Sequence, residues 1–562
     1  MNSKYRRILM VYPAFHKTHW GMKYSLPIIG RQSIMAPLGL ITVAALTPPE
    51  YDIRLIDMNY EELTDQDIAW ADMVCFSAMM AQREVMFESA ARCKEAGKLV
   101  VFGGPFPTAS PELCAPHCDV MVLNEGEITW QPFIKDLEKG TWQKVYANED
   151  KPDVTQTPVP RFDLLKVNDY LNIPVQFARG CPFECEFCDI PVMLGRKPRT
   201  KTPEQMIAEL DAIYKTGYRG GIMLVDDNFI GKKNDAKKLL PQIQAWNEKH
   251  KHPFYYSTQV TVTLAEDAEL LKMMTDARFA GVFMGVETPS LASLKETNKY
   301  QNLRRSLLDS IKIVQSAGMF VYAGFIVGFD SDTEDIFDRQ IEFIRQAAIP
   351  APTLALLYAL PGTPLHKRMS QAGRLRASER SDDFSGYNTN FDTNIVTVLP
   401  RKTLLEGYRR IIATCYKPDE FFNRAKEFFS RQPKTGASWQ GVIGFVFIMI
   451  GILTGKTGPH HRTSAARPAQ MKLLRDAFKR LTPEFKGELR QFLWAIFKKR
   501  PDQLPSALVF TLVSIHYQRF TFEDLIPDVD RRLRMLSEET PVADGKLAPG
   551  PIRQNVPVGA AA

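Results

Sequence analysis

From Arg6 to Gly140 short apolar runs alternate with stretches of helical pattern. Five runs are apolar on successive positions and bounded by turn residues: RRILMVYPAF, DIRLIDMN, ADMVCFSAM, KLVVFGGPF and CDVMVLNEGE, beginning at Arg6, Asp52, Ala71, Lys98 and Cys118. A strand covered on both faces has this unbroken pattern. PLGLITVAAL, QREVMFESAARCKEAG and EITWQPFIKDLEKG lie between them and read as helices. The alternation predicts a parallel sheet with helices on both faces. Such sheets bind ligands at the carboxyl ends of their strands. Here those ends carry YPAF, GGPFP and NEGE. Gly103, Gly104 and Gly126 permit close backbone approach there, and Glu127 follows directly.

Residues 141–172 are rich in Pro, Asp and Asn and read as a linker. From 173 to 366 the alternation returns, with candidate strands PVQFAR, GIMLVDDN, FYYSTQVTV, GVFMGVET, VYAGFIVGF and TLALLYALPG. About six strand–helix units predict a (β/α) barrel, partial or full. Its first helix is well marked. Thr202 is placed to cap it, Pro203 takes the first helical position and Gln205 completes a capping box. Met206, Ile207, Leu210, Ile213 and Tyr214 share a face, and Gly217 can end it. Residues 367–535 read as mainly helical, and 536–562 as a disordered tail. The organisation is therefore α/β: a domain over 1–140, a linker, a barrel over 173–366 and a helical C-terminal domain.

The 562 residues are 45% hydrophobic, ample for several cores. Eight cysteines are too few for a disulfide scaffold in such a length, which points to a reducing, cytoplasmic setting. The apolar run near the N-terminus is too short for a signal peptide and reads as a first strand. Charge is uneven. Residues 401–534 hold 25 Lys and Arg against 12 Asp and Glu, in a chain whose net charge is only +7. The rest of the chain is therefore acidic, and the basic excess suggests a local anionic partner or a solvated basic face.

Three cysteines stand out. Cys181, Cys185 and Cys188 lie in RGCPFECEFCDIP, just after the first strand of the second block. Thiolates suit zinc or iron–sulfur clusters. A structural zinc site needs a fourth ligand, which Asp189 or a distant histidine could supply. A [4Fe–4S] cluster held by three thiolates leaves one iron open to a small molecule carrying an amine and a carboxylate.

The triplet and the barrel that follows it resemble the radical S-adenosylmethionine (SAM) superfamily. The resemblance implies a [4Fe–4S] cluster on the three cysteines, with SAM on the fourth iron. It also implies SAM contacts at the strand ends. VDDNF places Asp226, Asp227 and Asn228 where the family usually has a Gly-Gly-Glu stretch, with helix capping as their alternative. Ser257 and Gln259 fall near the expected ribose, as does Glu287 in GVET, and Gly324 and Gly328 in GFIVGF where the adenosine would pack. Ordinary barrel-interior polar groups are the alternative for Ser257 and Gln259. APLGLITVAAL, VVFGGPFPTASPE and VLNEGEITW resemble the Rossmann-like cobalamin-binding domain that precedes the barrel in one subclass. The Asp-x-His-x-x-Gly motif is absent, and His16 and His19 have the wrong spacing. The implication is cobalamin held without a histidine on cobalt; a cofactor-free Rossmann-like domain is the alternative.

RGCPFECEFCDI, GRKPRTKTPEQMIAELDAIYKTGYRG, VDDNFIG, AGMFVYAGFIVGFDSD and YALPGTPL narrow the resemblance to the group containing the bacterial hopanoid 2-methylase. It implies methylation of an unactivated sp3 carbon through a substrate radical, on a lipid-like or natural-product substrate, with no general base required. A ferredoxin- or flavodoxin-type reductant is implied, and no nucleic-acid partner. Rearrangement or oxidation by the same cofactors is an alternative, as is a non-catalytic iron–sulfur and cobalamin sensor. GVIGFVFIMIGILTG, from Gly441, and LPSALVFTLVSI, from Leu504, are apolar and flanked by basic residues. Both are shorter than a membrane span. They fit either a peripheral contact with the cytoplasmic membrane face or buried core helices.

Overall fold

The computed structural model describes residues 5–376, 392–434 and 467–538. The strands of the first part are β1 (Arg7–Tyr12), β2 (Ser33–Met35), β3 (Asp52–Asp57), β4 (Met73–Ser77), β5 (Leu99–Gly103), β6 (Val120–Val122) and β7 (Val145–Tyr146). Those of the middle part are β8 (Tyr170–Val175), β9 (Ala178–Arg179), β10 (Arg199–Thr200), β11 (Gly220–Leu224), β12 (Phe254–Val260), β13 (Phe279–Glu287), β14 (Phe320–Val327) and β15 (Pro352–Leu356).

Six strands form a parallel sheet of order β3-β1-β4-β5-β6-β7. On β1, Ile8 and Met10 enter one apolar cluster while Leu9 and Val11 enter another. That period-two division is what a strand covered on both faces requires. The strand order reverses at β1, so the crevice outside its carboxyl end is the expected ligand position.

The second sheet is parallel and open, in the order β15-β14-β13-β12-β11-β8-β2. It is a partial barrel. The helix Pro203–Lys215 begins as the sequence predicts: the Thr202 side chain accepts from the Gln205 N–H, and Gln205 Oε1 accepts from the Thr202 N–H. Three features depart from the sequence reading. Residues 33–35 join this sheet beside β8, although they precede most of the first sheet. Residues 145–146 extend the first sheet instead of lying in a linker. The predicted strand PVQFAR is broken: β8 ends at Val175, and β9 peels away to pair antiparallel with β10. The cause is Asp226, whose Oδ1 takes the Phe177 N–H at 2.8 Å and so replaces a ladder bond.

Helices Arg401–Cys415, Pro418–Arg431, Pro483–Lys499 and Leu504–Arg519 share the barrel's apolar core, with Phe428 5.0 Å from Phe320 at the start of β14 and Arg424 donating to the Ile349 carbonyl just before β15. The run LPSALVFTLVSI becomes a core helix, with Phe510 stacked on Phe421 at 5.4 Å. Of the two readings of this run, its burial against phenylalanines fits the core helix. The run from Gly441 to Gly455 and the tail from 539 lie outside the described residues. Among the described residues no helix is long and apolar enough to cross a membrane.

Candidate active site

The cysteine loop is held from three sides. Gly180 has a φ of 92°, and a Cβ there would fall 2.6 Å from the Gly195 carbonyl oxygen, so only glycine fits before Cys181. The Glu186 N–H donates to the Thr297 carbonyl at 2.9 Å. Arg368 binds the Glu186 carboxylate through two nitrogens, at 2.6 and 2.8 Å. Arg368 follows β15, at the far edge of the sheet from β2, so the loop bridges toward the opposite side of the partial barrel. Cys185 is buried, and Cys181 and Cys188 are half-buried. Burial pushes the Cys181 and Cys188 thiols up, and repulsion from the neighbouring cysteines adds to the rise.

The end of β11 lies beside this loop. Burial lifts the Asp226 carboxyl to about 8 and that of Asp227 to about 6. Asp227 accepts the Gly180 N–H at 3.1 Å, and Asn228 Nδ2 stands 4.0 Å from Cys181 Sγ. Three buried acceptors here have no partner: Asp226 Oδ2, Asn228 Oδ1 and Gln301 Oε1. Ser257 and Gln259 lie on the half-buried face of β12, in register with Gly281 and Phe283 of β13. Glu287 ends β13 with a φ of 66° and is ion-paired with buried Lys299. A Cβ on Gly324 would fall 2.9 Å from the Phe283 ring, and Gly328, at φ 105°, donates its N–H to Asp332 at 2.9 Å.

On the first sheet, Gly104 has a φ of 88°, and a Cβ would fall 2.3 Å from Ser77 Oγ at the end of β4. Gly103 ends β5, and a Cβ on Gly126 would press on Val43 at 3.1 Å. Glu127 faces Arg179 at 2.7 Å and Thr157 at 3.0 Å. His19 is stacked on Tyr517 at 4.6 Å, and burial lowers it to about 3. His117 stacks on Phe87 at 3.9 Å, and His16 lies 3.3 Å from Glu84.

Several contacts escaped the sequence. Glu125 binds Arg199 at 2.7 and 3.0 Å and Arg179 at 2.8 Å, tying the first sheet to the ribbon that leads into Cys181. Trp20 reaches across to Phe283 (5.5 Å) and Tyr322 (6.1 Å) on the second sheet. Glu125 was visible only as part of NEGE, and nothing local marks its partners 54 and 74 residues away.

The B12 binding domain family matches residues 25–132, the Radical SAM superfamily matches 175–344, and a domain of unknown function (DUF4070) matches 363–524. An uncharacterized methyltransferase of Synechocystis is 42% identical over 421 residues, covering 74% of this chain and 77% of that protein. The hopanoid C-2 methylase of Rhodopseudomonas palustris is 35% identical over 424 residues, covering 75% and 78%. The chain belongs to the cobalamin-binding radical SAM methyltransferase family. Solved structures share the fold. The cobalamin-dependent radical SAM enzyme OxsB superposes with a TM-score of 0.56 at 16% identity, over 94% of this chain and 84% of its own. The methyltransferase TsrM of Kitasatospora setae gives 0.57 at 14%, over 85% and 100%.

The family's cofactors are a [4Fe–4S] cluster, SAM and cobalamin, and the residues present fit them. Among the described residues no three His, Cys, Asp or Glu side chains converge on a single ion. Beside Cys181, Asp226 Oδ2 and Asn228 Oδ1, which have no partner among the described residues, call for a donor, which an ammonium supplies. Gly103, Gly104 and Gly126 let the chain pack closely against Val122, Ser77 and Val43 where the first sheet's strands end.

Proposed function

We propose that this radical SAM methyltransferase methylates an unactivated sp3 carbon of a hopanoid-like lipid. The observation that carries the reading is the 35% identity to a hopanoid C-2 methylase over 78% of that enzyme.

Cys181, Cys185 and Cys188 would hold the cluster. Asp226, Asp227 and Asn228 would receive the SAM ammonium; Ser257, Gln259 and Glu287 would face the ribose, and Gly324 and Gly328 would give the adenine room. Gly103, Gly104 and Gly126 would let cobalamin approach, with Glu127 bracing that loop through Arg179. When bound, the cluster and SAM supply a hydrogen-abstracting radical, and cobalamin supplies the methyl group. The protein orients these parts and excludes water. The chain would be cytoplasmic and peripheral on the membrane, and a ferredoxin- or flavodoxin-type protein would deliver electrons.

The test is anaerobic incubation with a reductant, SAM carrying a deuterated methyl group, and a hopanoid lacking the C-2 methyl. A labelled methyl hopanoid is expected. Production of 5′-deoxyadenosine with the hopanoid unchanged would overturn the substrate reading and favour another natural product.

A further inference from the structure

After the helix Leu291–Glu296 the chain turns back along the cysteine loop. Residues 297–302 touch it repeatedly. The Thr297 carbonyl accepts the Glu186 N–H, and Lys299 Nζ lies 5.7 Å from the centre of the Phe187 ring. Asn302 Nδ2 anchors the segment, donating to the carbonyls of Gly285 (3.1 Å) and Val286 (3.0 Å) near the end of β13. Between these anchors Gln301 is 3% exposed, and its Nε2 stands 3.3 Å from Cys185 Sγ.

A thiolate bound to iron has no proton and can only accept, so the amide must present its N–H to that sulfur. Lys299 is ion-paired with Glu287, which largely balances its charge. The Gln301 amide is then the uncompensated donor beside Cys185. We propose that Gln301 sets the reduction potential of the cluster by donating a hydrogen bond to the sulfur of Cys185.

Reduction adds negative charge to the cluster and its sulfurs. A hydrogen bond to a ligand sulfur strengthens with that charge and favours the reduced state. Gln301 therefore makes the cluster easier to reduce by a protein donor. It is a positioning residue: it touches neither substrate nor reacting atoms and acts through a cysteine. The inference rests on the cluster and is independent of the substrate.

The experiment is a redox titration of the anaerobically reconstituted full chain without SAM, read by the paramagnetic signal of the reduced cluster. Gln301→Met keeps the length and removes the donor. It should shift the reduction equilibrium about tenfold toward the oxidised form, which is about 59 mV more negative for one electron. Gln301→Glu keeps the shape and should shift it at least as far. Iron content should match the parent chain. A Gln301→Met protein with a full cluster at the parent potential overturns the proposal. If that variant loses the cluster, Gln301→Glu decides, and an unlowered potential there overturns it. Loss of the cluster from both would show that Gln301 serves cluster assembly, which also overturns it.

Discussion

Asp226 lies where the fold and the candidate site meet. Its Oδ1 replaces a strand partner for Phe177, and its Oδ2 has none. Burial raises its carboxyl from an ordinary 3.8 to about 8. The folded chain therefore binds this proton more tightly than the unfolded chain. Its contribution is fully present below about pH 4 and is lost as pH rises through about 8. Asp226→Asn keeps an acceptor for Phe177 and cannot ionise. In the cofactor-free chain, its stability relative to the parent should rise across that window and level off above it. Chemical denaturation at several pH values would check this, and a pH-independent difference would refute it. The cysteine triplet stands out in the sequence because its three members fall within eight residues. Gln301 does not, because it meets Cys185 across 116 residues and bears no local mark of that contact.

At the scale of elements, local signals survived and long-range ones did not. The capping box at Thr202 is written in four adjacent residues and forms as read. The strand PVQFAR has the right composition, yet it breaks because a carboxylate 49 residues on takes its N–H. The displaced ribbon gains another anchor, since Glu125 ties it to the first sheet through Arg179 and Arg199. These side chains are 5–16% exposed, so removing the carboxylate leaves guanidinium groups buried without full compensation. Glu125→Ala should cost about 3–5 kcal/mol. It should also speed amide exchange in Ala178–Arg179 and Arg199–Thr200. Hydrogen–deuterium exchange would measure this, and unchanged protection of the ribbon would show that the clamp is not its anchor.

Across the whole molecule, the N-terminal segment joins all three regions. Trp20 enters the face of the second sheet, His19 stacks on Tyr517, and Lys17 and Tyr24 bind Asp524 at 2.6 Å. The helical region is thus fixed against the partial barrel, with its outer face to solvent. That face carries an apolar feature at Trp494 (57% exposed) and Phe497 (43%), stacked at 5.7 Å, with Lys498 Nζ 4.9 Å from the Trp494 ring centre. Aromatic rings beside lysines suit the headgroup level of a bilayer. The surrounding basic excess adds about 1 kcal/mol per well-placed Lys or Arg on an anionic surface. Screening over about 8 Å at physiological salt makes such binding reversible and salt-sensitive. The full chain should therefore float with anionic vesicles at low salt and be partly released at high salt. Trp494→Ala with Phe497→Ala should reduce flotation at both salt levels, because insertion is lost while charge remains. If the parent chain ignores anionic vesicles, the basic face is only solvated. A lipid substrate would then have to be delivered by a carrier.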